Sequence, residues 1–539
     1  MLASRCPVTN PRSSRHGRAA GRGAPVALAM LVLAALVSMV PPAAAQSVYH
    51  ISSDSTMTAI GASYTLVGVT IVDEGATLTI EPGVWVRAAQ DAMLIVLGNL
   101  HCVGTADSMI VFQTLLIPNR WGGICLHGTD DTARIEHTRI YRTQPMTYQA
   151  YDLTGAVTAR SSDVSITDCE FEDDFYGGGA WLRYATGIVA RNHFITFRGQ
   201  VISAIYSSVD VVDNVIEYAG QDAIEYGLNP SPVQITGNVI AGNDDDGIDV
   251  DGGFIGTISG NYIHTCADKG ISVADTSLVT ISNNIIWDCA RAIRIADGST
   301  AELWNNTLTQ CFWGLQVQQS NAGYGGATAT AHNNVIYGNS NQVYVDALSA
   351  LTLTYSCVEG DTAYAGEGNI NTDPAFAAGD TTFHLQAGSS CIDAGLYAPG
   401  CPELDFDGEE RIDDLWVPNS GSGDITYVDI GADEFQPDPA GVPVEPAPAL
   451  SRLFRVRPNP VRPGAALRLD TPGTARGRLV LYDVQGRLRR AWNDILVPGE
   501  LAFDGRDKSG RRLADGVYYL EFRGDARRAG WTGRLVIVR

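Results

Sequence analysis

The line VDVVDNVIEYAGQDAIEYG (209–227) is followed by four imperfect copies of itself. They are VQITGNVIAGNDDDGIDVD (233–251), TISGNYIHTCADKGISVAD (257–275), VTISNNIIWDCARAIRIAD (279–297) and AELWNNTLTQCFWGLQVQ (301–318). Each line carries an Asn, an apolar residue two positions later, and a small residue followed by Ile or Leu about ten positions on. The marker asparagines Asn214, Asn238, Asn261, Asn284 and Asn306 are separated by 24, 23, 23 and 22 residues. A fixed period of this size means stacked coils, each unable to bury its apolar face alone.

The coils read as strands. Apolar residues alternate in Ile248-x-Val250, Ile271-x-Val273, Ile293-x-Ile295 and Leu315-x-Val317, and no helical periodicity runs through the region. A short-stranded coil of about 22 residues stacked on its copies is a parallel β-helix with inward Ile and Val columns. The recurrent Asn suits a turn with left-handed dihedrals and a side chain that bonds to neighbouring coils. The spacing extends upstream to Asn192, Cys169 and Thr138, and downstream to Asn334 and Cys357. Across about 60–360 the chain resembles the right-handed parallel β-helix repeat family, which shares the pectate-lyase-like fold.

The remainder divides by composition. Five arginines precede the apolar run Val26–Val40, and Ala43-Ala44-Ala45 precedes Gln46, so 1–45 is expected to be an export signal. Residues 46–134 are expected to form the opening coils and 135–369 the repeats. LVGVTIVDEGATLTIEPGVWVRAA (66–89) resembles the first coils of extracellular β-helix proteins, whose job is to begin the stack and cover its open edge. In 370–435, CIDAG and DIGADEF resemble the terminal segment of bacterial surface β-helix proteins. There Asp405-x-Asp407-Gly408 reads as a tight turn rather than a calcium loop. The Pro-rich stretch 436–450 is a linker. Alternating strands in 451–539 suggest a small sandwich, with RPNPVRPG, LYDVQGR and FDGRDKSGRRLADGVYYLEF. That module resembles the Ig-like domain of flagellar hook-capping proteins and the sorting domain of type IX secretion substrates. The resemblance implies the secretion machinery as a partner and a secreted or bacterial cell-surface location.

Charge follows the same division. Residues 46–450 hold 13 basic and 51 acidic side chains, whereas 451–539 hold 19 and 9. So acidic a body repels nucleic acid, and a monomer with no nucleic-acid partner is expected. Cys266, Cys289 and Cys311 each lie five residues after a marker Asn and should stack as a buried thiol column. Cys102 and Cys125, 23 apart, look like another one-coil step.

Stacking also turns the residues beside the inward Ile and Val into a ladder on one face. Coil by coil it runs through Gln200 and Ser203, then Asp222 and Glu225, then Asp246, Asp249 and Asp251. Lys269 and Ser272 follow, then Arg291 and Arg294, then Trp313, Gln316 and Gln318, with Asp244 and Asp245 on the adjoining turn. Asp244, Asp245, Asp246, Asp249 and Asp251 are candidate Ca²⁺ ligands. Asp222, Glu225, Asp249, Trp313 and Gln316 are candidate contacts for an extracellular polysaccharide. Lys269, Arg291 and Arg294 are candidate bases for α-proton abstraction from a uronate. Polysaccharide lyases of β-helix fold pair calcium with a basic residue in this general way, but no lyase signature is present. Binding of polysaccharide is the leading expectation. A calcium-assisted uronate lyase and an adhesin or stalk without a small ligand stand beside it, as does simple ion pairing of Asp246, Lys269 and Arg291 across coils.

Overall fold

The computed structural model describes residues 46–59, 63–174 and 177–436. Beyond these it describes 455–457, 466–470, 475–483, 488–497, 499–508, 510–513, 516–524 and 530–537. The expected signal (1–45) lies outside them, as does all of the linker except Gln436.

Three 13-stranded parallel sheets run along the molecule, each rung giving one strand to each sheet. The first rung is Val48–Ile51, Ser55–Met57 and Ser63–Leu66; the last is Asn341–Val345, Ala350–Thr354 and Cys357–Val358. No helix occurs among the described residues. Inward positions stack on their own kind: Ile224, Ile248, Ile271, Ile293 and Leu315 are paired rung to rung in the first sheet, and all are fully buried. Burying these columns supplies the main drive for the coil, at roughly 25 cal/mol per Å² of apolar surface removed from water.

The asparagine ladder stands at the turn between the second and third sheets. Oδ1 of Asn238 accepts from the backbone N of Asn214 at 3.0 Å, and Oδ1 of Asn261 accepts from that of Asn238 at 2.9 Å. Asn284, Asn306 and Asn334 repeat the bond. The left-handed residue is not the ladder Asn but its predecessor: Asp213, Gly237, Gly260, Asn283 and Asn305 all have φ between 51° and 68°. The Asn is therefore selected for bonding the next rung, and the residue before it for turning the chain. Beyond Asn334 the slot belongs to Ser356, whose Oγ accepts from Asn334 N at 3.0 Å. Cys357, expected there, pairs with Val335 instead.

The thiol column holds. Cys266, Cys289 and Cys311 are buried and form no disulfide, flanked by Asn243 and Asn339, which continue the column in either direction. Cys102 and Cys125 do not stack: the first lies in the second sheet beside Ile135, the second in the first sheet between Ile95 and Thr158. A 23-residue step means one rung only where the intervening loops are short, and here the loop 115–123 intervenes.

Residues 370–436 do not simply close the end of the stack; they run back along its flank. Thr381 O accepts from Tyr262 Oη at 2.9 Å, Leu404 O from Asn283 Nδ2 at 2.8 Å, and Asp429 O from Asn305 Nδ2 at 3.0 Å. Asp405 makes the expected tight turn, its Oδ1 accepting from Asp407 N and Glu409 N. The described part of 451–539 forms a three-stranded and a four-stranded antiparallel sheet. One apolar cluster, including Leu467, Leu501, Leu481 and Phe522, draws on both.

Candidate functional site

The outer face of the first sheet carries two columns of chemistry-bearing side chains. Parallel pairing sets them in line: Lys269, Arg291, Trp313 and Asn341 in one, and Trp181, Ser203, Glu225, Asp249, Ser272, Arg294, Gln316 and Tyr344 in the other. Asp222 and Asp246 extend the first column, where each carboxylate bonds the backbone of the next rung. Asp222 Oδ1 accepts from Asp246 N at 3.2 Å, and Asp246 Oδ1 from Lys269 N at 2.9 Å. Successive rungs lie about 4.8 Å apart, so the sequence order of charges becomes a spatial order along one track.

Asp222 and Asp246 are almost wholly buried, Asp249 and Asp251 partly so. Burial, together with the charges of Asp249 and Asp246, pushes Asp222 up to about 7. Burial raises Asp246 to about 6 against the pull of Lys269. Asp249 is raised by burial although Ser272 bonds it, and Asp251 by burial and by Asp275 and Glu225. Carboxylate oxygens of Asp222, Asp245 and Asp246 lie within 4.8 Å of one another, close enough to share a cation. Asp244 is exposed on the same turn and outside that trio.

The basic candidates are placed differently from one another. Lys269 Nζ lies 2.9 Å from Asp246 and 2.5 Å from Asp268. Burial opposes its charge, but these two carboxylates outweigh it and hold the ammonium above its ordinary value. Arg291 pairs with Asp268 as well. Arg294 makes no described ion pair, although its charge acts on Asp249 and Asp268: it donates to Ser272 Oγ at 3.1 Å, and its Nε is buried without an acceptor. Trp313 packs edge-on to Tyr344, ring centroids 5.7 Å apart, and the Oε1 of buried Gln316 lacks a donor.

Two features escaped the sequence reading. Asp268 occupies the turn position equivalent to Asp245, and an alignment of the turns by register would have found it. The other is an antiparallel hairpin, Met146–Tyr148 with Tyr151–Leu153, which packs over the first sheet near Cys125. Beside it lies a cavity of about 310 Å³ lined by Tyr151, Thr158, Arg160, Trp181, Arg183, Tyr184 and Tyr206, among others.

A second acidic group surrounds His384, whose Nε2 lies 2.8 Å from Asp407 and whose Nδ1 meets Asp380. Bonds donated to Asp380 and Asp407 raise the imidazole to about 11, so it serves as the cation of its own cluster.

Residues 104–253 and 201–358 match the family described as the right handed beta helix region, and 50–148 match the pectate-lyase like beta helix domain. The chain is a right-handed parallel β-helix of pectate-lyase-like fold. No curated protein matches it in sequence. Solved structures similar to it include pectate lyase Pel9A, at 14% identity and TM-score 0.34, covering 68% of this chain and 89% of that one. The periplasmic alginate epimerase AlgG follows at 11% and 0.24, covering 57% and 77%. PorZ, a bacterial surface component of the type-IX secretion system of Porphyromonas gingivalis, is 24% identical at TM-score 0.14 over 16% of this chain. The match spans only 11% of PorZ.

Proposed function

We propose that the outer face of the first sheet binds an acidic extracellular polysaccharide. The observation that carries this is the concentration of charge and aromatic rings on one sheet in line with its axis. The outward column of the second sheet, by contrast, runs Gln234, Thr257, Thr280, Glu302, Thr330 and Thr352, an ordinary solvated surface. A linear glycan laid along the track would meet Glu225 and Asp249, then Arg294 and Gln316, then Trp313 and Tyr344. A divalent cation held by Asp222, Asp245 and Asp246 would bridge a uronate carboxylate to the acidic rungs.

Binding without turnover fits the basic rungs best, because Lys269 and Arg291 are both engaged by carboxylates, and a paired ammonium or guanidinium is a poor base. A calcium-assisted uronate lyase is the second reading, and one observation favours it. Arg294 stands in the track without a described ion pair and with a buried, unsatisfied Nε. We read 451–539 as a sorting module that delivers the β-helix to the cell surface, supported by its two antiparallel sheets and basic balance.

The test is a glycan array read with and without calcium, followed by ultraviolet detection of unsaturated uronate products. Calcium-dependent retention of acidic glycans without product supports binding. Product that disappears in Arg294→Ala supports the lyase, and no retention of any glycan leaves the adhesin or stalk.

A further inference from the structure

The cavity beside the Met146–Leu153 hairpin sits on the same outward column as the acidic track. Trp181 pairs with Ser203, and Ser203 with Glu225, so the cavity opens two rungs from the carboxylates. On its other side the track is blocked. The column continues there as Ile71, Ile95 and Cys125, and the hairpin buries that apolar stretch through Met146, Tyr151 and Leu153.

We propose that this cavity is a terminal subsite, where the end of an anionic glycan chain stops against the hairpin; the inference rests on the polysaccharide reading of the track. At about 310 Å³ the space lies at the small end of ligand pockets and suits one sugar residue rather than a passing chain. Its walls have the two chemistries a uronate needs. Trp181 offers a partly exposed ring, and Tyr184 and Tyr206 stack 5.1 Å apart at an interplanar angle of 6°, both about half exposed. Stacked, exposed rings present flat apolar faces to the C–H face of a sugar. Arg183 lies 4.4 Å over the Trp181 ring and is fixed by Ser203 Oγ, while Arg160 stands exposed on the neighbouring strand. Neither guanidinium makes a described ion pair: Arg183 reaches Glu225 only through the Ser203 hydroxyl, although that carboxylate's charge bears on it. Asp152, which also lines the cavity, is held by Thr147 within the hairpin at 2.8 Å. In so acidic a body, two guanidiniums converging on a cavity select a carboxylate-bearing end residue.

The experiment uses the full chain and α-1,4-oligogalacturonates and β-1,4-oligomannuronates of four, eight and about twenty residues, with carboxyl-reduced forms as controls. Calorimetry should give one protein per glycan chain at every length, with no binding of the reduced forms. Trp181→Ala and Arg160→Ala should each weaken binding at least about tenfold, as loss of an anchor does, and Trp181→Phe should retain most of it. All variants should keep the parent melting temperature, since these side chains are partly or wholly exposed. Stoichiometry that rises with chain length, or binding untouched by both alanine variants, overturns the terminal subsite and leaves the open track standing. If none of the acidic probes binds, the track and the subsite fall together.

Discussion

The ammonium of Lys269 lies 2.9 Å from Oδ1 of Asp246, one rung away, and neither side chain is more than 8% exposed. The pair is incompletely balanced, because Asp246 remains raised to about 6 with Lys269 beside it. Removing the lysine leaves a buried carboxylate whose remaining partner is the backbone N–H. Lys269→Met should therefore destabilise by about 3 kcal/mol at pH 8. The loss should shrink at pH 5, where Asp246 takes a proton, and in the double variant with Asp246→Asn. Denaturant unfolding at both pH values checks this; equal losses at the two would remove the charge argument.

The asparagine ladder predicts a different pattern. Asn238 accepts from Asn214 N and Nδ2 and donates to Val211 O and Asn261 Oδ1, all inside the fold. Asn238→Ala strips these bonds and leaves buried partners unsatisfied, so about 3 kcal/mol should be lost. Thr257→Ala, on the solvated face of the second sheet, should change stability by under about 0.5 kcal/mol. Thermal melts of the two variants separate a ladder that bonds rungs from one that merely marks them.

Truncation tests the architecture. No described apolar cluster joins residues before 437 to residues after 454. A chain ending at Gln436 should stay folded and soluble, while losing surface attachment. A chain ending at Gly360 should melt lower and bind a hydrophobic dye. It would uncover Tyr262 and Trp287, against which Phe383 and Phe406 pack, and strip Asn305 Nδ2 of its acceptors at Asp429 and Gly431.

The sequence was legible where one residue does the same job on every rung. Asn214, Asn238, Asn261, Asn284 and Asn306 must each bond their neighbour, and Ile248, Ile271 and Ile293 must each fill the same interior slot, so spacing revealed both. The outward columns followed, since side chains alternate along a strand. What depends on a single insertion was not legible. Nothing periodic says that the hairpin 146–153 folds over Cys125 or that 370–436 runs back to Tyr262. A one-residue offset misplaced Cys357, because Ser356 bonds Asn334 just as an asparagine would. The role of Asp268 was hidden for a similar reason: turns vary in length, and only the register of the flanking strands shows that it faces Lys269.

The carboxylates predict how stability and calcium binding vary with pH. Asp222 is raised to about 7 and Asp246 to about 6, from an ordinary value near 4. A group raised in the folded state contributes stability that is fully present below its unfolded value and is lost as pH climbs through the folded one. These two therefore favour the fold below about pH 4 and withdraw that support between pH 4 and 7. His384, raised to about 11, acts in the same direction above its unfolded value near 6.5. The melting temperature should be higher at pH 5.5 than at pH 8, and Asp222→Asn should flatten the difference. A cation bound by Asp222, Asp245 and Asp246 must displace those protons, so its affinity should rise from pH 5.5 to 8 and binding should release protons. Calcium should then raise the melting temperature at pH 8 far more than at pH 5.5, an effect lost in Asp246→Ala/Asp249→Ala. A flat calorimetric trace at millimolar calcium and pH 8 would eliminate both the cation-bridged mode and the calcium-assisted lyase. Lys269 and Arg291 would then remain as the counter-charges of a salt-bridged wall, and glycan recognition would rest on Arg294 and the aromatic ends of the track.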